Sequence, residues 1–387
     1  MSSHEPIPVP ELARRRERLA ERLEEHGLDA VFLPPSSDLE YLTGLQRDVP
    51  SFGQVAYANG WVAGAFFGPG DEPLFVLPRM VVAFHLHDRA PDRCLIVDES
   101  DDGEALFADA ARSLGAVERI AIGGRTWGQT VLHLRRVLPS SEVVDATPIV
   151  NELRRVKSEL ELQLLTEACR IAEDAMAETA PRVLPGVSPL ELSEEIEHQL
   201  RVRGSRTPSF PTHIFTFGRV DSRDSTLASG TQPIRDGEPL QFDFGAVHRG
   251  YCSDFGRTVV CGEPPDGYEW VYGVMLEAQE AGCSAAVPGA LASDVNAACR
   301  RPIEEAGLGE YFRHRMGHGI GLDVHEEPFS SVEDRTPLEE GMTFTDEPSI
   351  EWTGHFGVRI EDIVVCAEGA VGRLTAMSTA PLLNWSQ

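Results

Sequence analysis

The chain has few basic residues and almost no lysine. Only 34 lysines and arginines stand against 62 aspartates and glutamates in 387 residues, and Lys157 is the only lysine. The formal net charge at pH 7 is −28. Because nucleic acids and anionic membranes are themselves negatively charged, a surface this acidic disfavours both as partners. The composition also fits a salt-adapted or thermophilic source.

Long apolar runs and paired cysteines are missing as well. No segment approaches the roughly 20 apolar residues that span a bilayer, and the first twenty residues contain no apolar region of the signal-peptide type. The seven cysteines are odd in number and lack CxxC spacing, which favours buried or inert thiols over disulfides. These absences predict a cytoplasmic protein without a membrane partner.

Several acidic residues lie where charge is costly. Asp243 and Asp254 occupy two apolar runs, QFDFGAV and YCSDFGRTVV, which flank a short polar stretch and predict a β-hairpin. With a turn centred between His248 and Arg249, Asp243 faces Asp254 directly, at roughly 4.5 to 5.5 Å. Like charges at that distance repel unless a cation lies between them. The alternative is that one Asp faces solvent and the other pairs with Arg257.

A second cluster is rich in histidine and glycine. The segment HRMGHGIGLDVHEEP contains His314, His318 and His325 within twelve positions. Its glycines favour a tight loop with close backbone approach over a helix. A single histidine is more often a core or surface residue, but three so close together favour a site.

Two glutamates complete the pattern. Glu347 ends an apolar, strand-like run and precedes Pro348, while Glu361 lies in the alternating strand VRIEDIVV, on the face shared with Arg359 and Ile363. Either glutamate alone would be read as a surface carboxylate. Together with the two aspartates and His318 they form a candidate ligand set whose four negative charges balance two divalent cations. Oxygen donors with one imidazole favour Mn²⁺, with Co²⁺, Zn²⁺ and Fe²⁺ as alternatives.

The order Asp, Asp, His, Glu, Glu resembles the pita-bread metallopeptidases. The resemblance covers about residues 155 to 380 and includes the motifs DFG, CSDFGRT, GHGIGLDVHE, DEPSIE and GVRIED. That family includes methionine aminopeptidase, aminopeptidase P, prolidase and the metal-free creatinase. The roughly 150 preceding residues are similar in extent to those of prolidase, aminopeptidase P and creatinase. Creatinase does not keep the five ligands, and all five are present here.

The expected fold class is α+β. The resemblance implies a C-terminal pita-bread domain, assigned to 158–387, after a smaller α/β creatinase-like N-terminal domain, assigned to 1–153. In relatives that first domain packs over the active site of a partner subunit, which implies a homodimer. His85 and His87, in AFHLHD, could bind a metal at strand spacing, although exposed or edge histidines are the simpler interpretation.

The resemblance also implies roles for the candidate residues. Asp243 and Asp254 would chelate one ion, His318 would serve the other, and the second Asp and Glu361 would bridge them. Glu347 would shuttle the proton of a metal-activated water as well as bind metal. The remaining two histidines would contact substrate, His325 at the tetrahedral intermediate and His314 in the same pocket.

Two positions depart from the family pattern. Thr226 stands seventeen residues before the first metal Asp, where the family has a histidine. Its hydroxyl could still bind substrate, or nearby His213 could supply the imidazole. Phe329 stands where prolidases commonly have the arginine that binds the dipeptide carboxylate, and it either forms a wall for proline or fills a core. The arginines that could bind the carboxylate instead are Arg359, Arg313 and Arg223.

The sequence therefore predicts a metal-dependent Xaa-Pro dipeptidase whose partner is a small peptide substrate. Three alternatives remain. An enzyme of the aminopeptidase P type would cleave longer Xaa-Pro peptides, and a metal-dependent hydrolase of another kind would act on a small amide or amidine. The least favoured alternative is a metal-free binding protein with a vestigial site.

Overall fold

The computed structural model describes residues 6–46, 58–70, 72–218, 228–368 and 372–384. The chain divides into two compact units, one from Pro6 to Arg154 and the other from Arg155 onward. All seven cysteines are free. In the described ranges no helix combines the length and the apolar character needed to cross a membrane.

The N-terminal unit combines helices with a six-stranded sheet of order β4-β3-β2-β1-β5-β6. Neighbouring strands are parallel in some pairs, such as β1 with β5, and antiparallel in others, such as β1 with β2. The strands are β1 (Ala30–Leu33), β2 (Gly64–Phe67), β3 (Leu74–Pro78), β4 (Cys94–Val97), β5 (Arg119–Ile122) and β6 (Glu142–Asp145). The helices are α1 (Val9–Glu25), α2 (Ser37–Thr43), α3 (Gly103–Arg112), α4 (Gly128–Val137) and α5 (Thr147–Arg155).

Aromatic side chains form the core of this unit. Phe32 on β1, Phe66 on β2 and Phe107 on α3 are fully buried, with ring centroids 4.8 to 5.5 Å apart. The strand spacing considered as the less favoured possibility for His85 and His87 is absent, because His85 ends a π-helix, Val81–His85, and His87 follows it with a positive φ of 49°. Their side chains therefore do not share a strand face.

The C-terminal unit mixes helices with largely antiparallel sheets. Its helices are α6 (Glu159–Thr179), α7 (Pro189–Val202), α8 (Tyr268–Ala285) and α9 (Ala292–Glu305), and short 3₁₀ turns span Ala180–Arg182, Ala228–Thr231 and Gly309–Tyr311. Ser158 and Ser188 begin α6 and α7 with capping boxes, in which the serine hydroxyl accepts from the third helical N–H and the glutamate there accepts from the serine N–H. The α+β fold class is confirmed.

Two larger sheets of this unit supply the strands around the predicted site. One has the order β19-β11-β8-β7 and the other β13-β12-β14-β17-β18, while β9 pairs with β10 and β15 pairs with β16. The strands are β7 (His213–Phe215), β8 (Pro239–Phe244), β9 (Val247–His248), β10 (Tyr251–Cys252), β11 (Phe255–Cys261), β12 (Gly317–Gly319), β13 (Glu326–Ser330), β14 (Thr343–Asp346), β15 (Ser349–Trp352), β16 (Phe356–Arg359), β17 (Asp362–Val365), β18 (Gly372–Arg373) and β19 (Leu382–Asn384).

The predicted hairpin is present, but its turn is centred one residue later than expected, so each residue of the first strand pairs two residues further along the second. Its turn is centred between Arg249 and Gly250, which both have positive φ, 50° and 89°. A two-residue turn of this kind matches the twist of antiparallel strands. As a result Asp243 pairs with Gly256, and Asp254 lies two residues further along the same face. The two carboxylates are diagonal neighbours rather than directly opposed.

The predicted strand VRIEDIVV is also interrupted. β16 ends at Arg359 and β17 begins at Asp362, and these strands belong to different sheets. Glu361 lies in the break, where its N–H donates to the Gly256 carbonyl at 3.0 Å. A Cβ added at Gly256 would lie 2.6 Å from the Glu361 carboxylate. The glycine opposite Asp243 therefore leaves the space that Glu361 occupies.

His318 lies on a short strand rather than in the expected loop. Flanked by glycines, it occupies β12, which pairs with both β13 and β14. A Cβ added at Gly317 would lie 1.9 Å from the Thr345 carbonyl oxygen, and one added at Gly319 would lie 2.3 Å from the Glu327 carbonyl oxygen. The close backbone approach that the glycines indicate is confirmed.

Candidate metal centre

The five predicted ligands lie together where strands of the two larger sheets end. Asp243 is near the end of β8, Asp254 directly precedes β11, and Glu361 directly precedes β17. Carboxylate oxygens of these three residues lie within 4.8 Å of one another. Glu347 follows β14, and His318 extends towards it from the adjacent strand β12.

His318 connects a second group of donors to the first. Its Nε2 lies 3.5 Å from the Asp254 carboxylate and 3.4 Å from the Glu347 carboxylate. Asp254 therefore belongs to both groups. The donor atoms form two overlapping sets, one of three carboxylates and one of an imidazole between two carboxylates.

Four of the five ligands are buried and Asp243 is partly buried, and their electrostatics reflect that burial. Burial raises the pKa of Asp243, Asp254 and Glu361. Burial would also raise the pKa of Glu347, but nearby positive charge, with His318 foremost, holds it below its usual value. Burial opposes protonation of His318, yet its hydrogen bond to Asp254 and the charge of Glu347 raise its pKa.

Two buried carboxylate oxygens accept no hydrogen bond from the described residues and could bind a cation. Asp254 Oδ1 and Glu361 Oε2 are buried, and neither has a hydrogen-bond partner among the described residues. A buried polar atom without a partner costs about 1–3 kcal/mol, and more when it is charged. Divalent cations bound by these oxygens would remove that cost. The donor set therefore fits the two metal ions expected from the sequence.

Arg359 lies inside the carboxylate cluster. It is 7% exposed, its guanidinium donates a short hydrogen bond to Asp243, and it lies 3.8 Å from a Glu361 oxygen. This placement favours a role in balancing the charge of the ligands over the predicted role of binding a substrate carboxylate. Arg257, considered above as a partner for one Asp, pairs with Asp362 at 2.7 Å instead.

The other two histidines of the cluster face the same cleft. The ring centroids of His325 and His318 are 4.1 Å apart, in an edge-to-face arrangement. His314 contacts the Ser349 hydroxyl through Nε2 and the Arg315 carbonyl at 2.6 Å through Nδ1. Burial lowers the pKa of both His314 and His325, so both are neutral near pH 7.

A cleft of about 840 Å³ opens onto these ligands. One of its sides carries His213, which is paired in register with Asp243 and lies between Phe210 and Phe215, at 6.2 and 5.5 Å between ring centroids. Its remaining lining includes Asn296, Arg300, Arg313, Arg315, Val324, Ser331, Val332, Glu333 and Glu351. The predicted positions Thr226 and Arg223 lie outside the described residues.

Arg315 lines the cleft, although the sequence did not single it out, and it contacts Phe329. Phe329 lies on β13, directly across from His318, and the guanidinium of Arg315 lies over its ring at 4.5 Å from the centroid. Among the residues that the structure describes, no carboxylate forms an ion pair with Arg315. The sequence signal for Arg315 is its position directly after His314 in the histidine cluster.

Comparisons with known proteins agree with this geometry. The model of metallopeptidase family M24 matches residues 163–368, and that of the creatinase/prolidase N-terminal domain matches residues 15–156. A Bacillus subtilis protein described as uncharacterized peptidase YqhT is 31% identical over 93% of this chain and 97% of its own. An Xaa-Pro dipeptidase of Pyrococcus furiosus is 29% identical over 94% of this chain and 98% of its own.

Solved structures show the same likeness over nearly the whole chain. A prolidase from Thermococcus sibiricus has a TM-score of 0.85 and 28% identity, and covers 96% of this chain and 99% of its own. An X-Pro aminopeptidase from Thermotoga maritima has a TM-score of 0.78 and 26% identity, and covers 94% of this chain and 99% of its own.

We predict that Asp254→Asn disrupts both ion sites, because Asp254 belongs to both donor sets. Protein loaded with Mn²⁺ and freed of excess metal should hold two ions per chain as the wild type and fewer than one as this variant, measured by elemental analysis. The exposed Asp266, in the turn before α8, provides the control, and Asp266→Asn should keep the wild-type content. Two retained ions in the Asp254 variant would contradict the shared-ligand arrangement.

Proposed function

The chain belongs to metallopeptidase family M24, and on that basis we propose that it is an Xaa-Pro dipeptidase that uses two divalent metal ions. The observation that carries the proposal is the buried cluster of four carboxylates and one imidazole at the base of the cleft. Relatives described as Xaa-Pro dipeptidases, similar over nearly the full length, support the substrate class.

We propose that the two overlapping donor sets hold the two ions. Asp243, Asp254 and Glu361 would hold one, and His318 and Glu347 would hold the other together with Asp254. Mn²⁺ is our first choice because the donors are carboxylate oxygens with a single imidazole. When bound, such ions polarise the scissile carbonyl and lower the pKa of the attacking water.

Proton transfer falls to Glu347 in this proposal. Its pKa is held low by neighbouring positive charge, and one oxygen accepts a hydrogen bond from Thr345 at 3.0 Å. An ionised, oriented carboxylate can take a proton from the attacking water and pass it to the proline nitrogen as the bond breaks. His325, neutral and beside His318, is placed to donate an N–H to the carbonyl oxygen that becomes negatively charged.

The cleft also offers groups for the ends of a dipeptide. The stacked rings of Phe210, His213 and Phe215 line one side of the cleft, where we propose that they contact an apolar ring such as that of proline. His213 is also the imidazole nearest in register to Asp243, so we propose that it takes the role that the family gives to the residue at Thr226. Arg315, supported by Phe329, is the proposed site for a substrate carboxylate.

A second candidate is an aminopeptidase that cleaves longer Xaa-Pro peptides. The likeness to the X-Pro aminopeptidase of Thermotoga maritima favours it, because the match also covers nearly both chains. In this alternative the cleft would leave room beyond the proline, and a free carboxylate on the proline would not be required.

A peptide-length series decides between these candidates. With Mn²⁺ added, we expect hydrolysis of Ala-Pro and Leu-Pro and much slower cleavage of Ala-Pro-Ala, measured by release of the free N-terminal amino acid. Ala-Ala provides the control for the proline requirement. Preference for the tripeptide would establish the aminopeptidase, and absence of turnover on all Xaa-Pro peptides would reject both candidates.

Substitution of Arg315 tests carboxylate binding. A hydrogen bond to a charged group contributes about 1.5–3 kcal/mol, so Arg315→Gln should raise KM for Ala-Pro about 10- to 100-fold with little change in kcat. Ala-Pro amide should show no such rise if Arg315 binds the C-terminal carboxylate. A larger effect on Glu-Pro than on Ala-Pro would instead assign Arg315 to an acidic first residue. Arg301 is exposed on α9, and Arg301→Gln is the control, which should leave KM unchanged. If KM rises only in Arg313→Gln, Arg313 binds the carboxylate instead.

We also propose a cytoplasmic homodimer. Seven free cysteines suit a reducing compartment, and a partner subunit is the arrangement implied by the family resemblance. Light scattering coupled to size exclusion should give twice the chain mass of 42.4 kDa. A mass of one chain across the micromolar range would exclude the dimer.

A further inference from the structure

The only lysine of the chain is buried. Lys157 is 5% exposed, and its Nζ donates to the Glu326 carboxylate at 3.1 Å. Glu326 is 9% exposed, so the pair is shielded from solvent. In a chain whose other basic residues are all arginine, this interior position keeps the compact ammonium group, which can donate to a single carboxylate oxygen where a planar guanidinium needs more room.

The second oxygen of Glu326 is used as well. Oε1 accepts the Asp323 N–H at 2.9 Å, so the carboxylate spans the turn between β12 and β13. A Cβ added at Gly321 would lie 2.8 Å from both carboxylate oxygens, which shows how closely the turn surrounds this group. The turn is therefore built around the Glu326 side chain.

This turn carries His325. The residue directly precedes Glu326, and its ring lies against His318, with 4.1 Å between centroids. The register of β12 and β13 shifts between His318 and Gly319, so ladder pairing alone does not continue through this region. The Glu326 carboxylate supplies the contacts next to His325 that the interrupted ladder does not.

Lys157 is itself fixed to the strand that leads to Glu347. Its N–H donates to the Gly341 carbonyl at 3.0 Å, and Val156 forms an isolated bridge with Met342, just before β14. The ion pair thus joins the turn that holds His325 to the start of the strand that holds Glu347.

We propose that the Lys157–Glu326 ion pair is a positioning device that holds His325 at the substrate carbonyl. The inference rests on the proposed function, since it assigns His325 a role in peptide hydrolysis. Lys157 and Glu326 do not touch substrate, and they act through the conformation of the turn. Removing one partner alone would leave a buried, unpaired charge, so both must be replaced together.

A mutant cycle separates positioning from general stability. Lys157→Met with Glu326→Gln removes both charges and keeps an acceptor for the Asp323 N–H. We expect kcat/KM for Ala-Pro to fall about tenfold or more in the otherwise wild-type protein and less than about twofold in the His325→Ala background. Equal losses in both backgrounds would overturn the proposal, because the pair would then act independently of His325. So would the absence of any loss.

Two further measurements keep the result interpretable. The double variant should retain two Mn²⁺ per chain, and amide hydrogen exchange should become faster in residues 321–326 whether or not the enzyme is turning over. Unchanged exchange in residues 321–326 would overturn the positioning proposal, whatever the activity. Failure of the wild-type protein to hydrolyse any Xaa-Pro peptide would separately reject the proposed function. Arg203→Met with Glu178→Gln removes an ion pair of 3.3 Å between α6 and the residue directly after α7, and it should change neither readout.

Discussion

Repulsion among four carboxylates in a buried place is the constraint on which the C-terminal unit depends. Asp243, Asp254, Glu347 and Glu361 come from different strand ends; the first two and Glu361 lie within 4.8 Å of one another, and His318 links Glu347 to Asp254. Arg359 and a protonated His318 supply positive charge, but less than the negative charge of the four carboxylates when all are ionised. Because transferring such charge from water is costly, bound divalent cations would remove much of the cost of this arrangement.

The backbone around these ligands is shaped by what it must bring together. The guanidinium of Arg257 is fully buried and donates to the Glu361 carbonyl at 2.7 Å and to the Asp362 carboxylate at 2.7 Å. These bonds hold the chain in the break between β16 and β17, where Glu361 leaves one sheet and reaches the hairpin of another. Gly256 leaves the space for its carboxylate. The buried guanidinium of Arg257, which is not itself a metal ligand, therefore fixes the position of Glu361.

Much of this could be predicted from the sequence because residue type and spacing carried it. The hairpin, the non-helical glycine-rich segment around His318 and the α+β class all follow from local patterns. The register of the hairpin could not be predicted, because it depends on a positive φ at Arg249, which residues other than glycine rarely adopt. In VRIEDIVV two acidic residues, Glu361 and Asp362, are adjacent at the change of sheet, but no glycine or proline marks a break there. The contact between Arg315 and Phe329 depends on strand register and is not visible in sequence spacing.

Phe329, one of the two positions that depart from the family pattern, differs from the metal ligands in what its replacement costs. Each ligand is tied to the others by charge, so replacing one leaves the remainder unbalanced. Phe329 is uncharged, whereas the family resemblance implies an arginine at this position. Its ring contacts the guanidinium of Arg315 from the neighbouring segment. An uncharged residue on β13 thus holds the guanidinium of Arg315 in place.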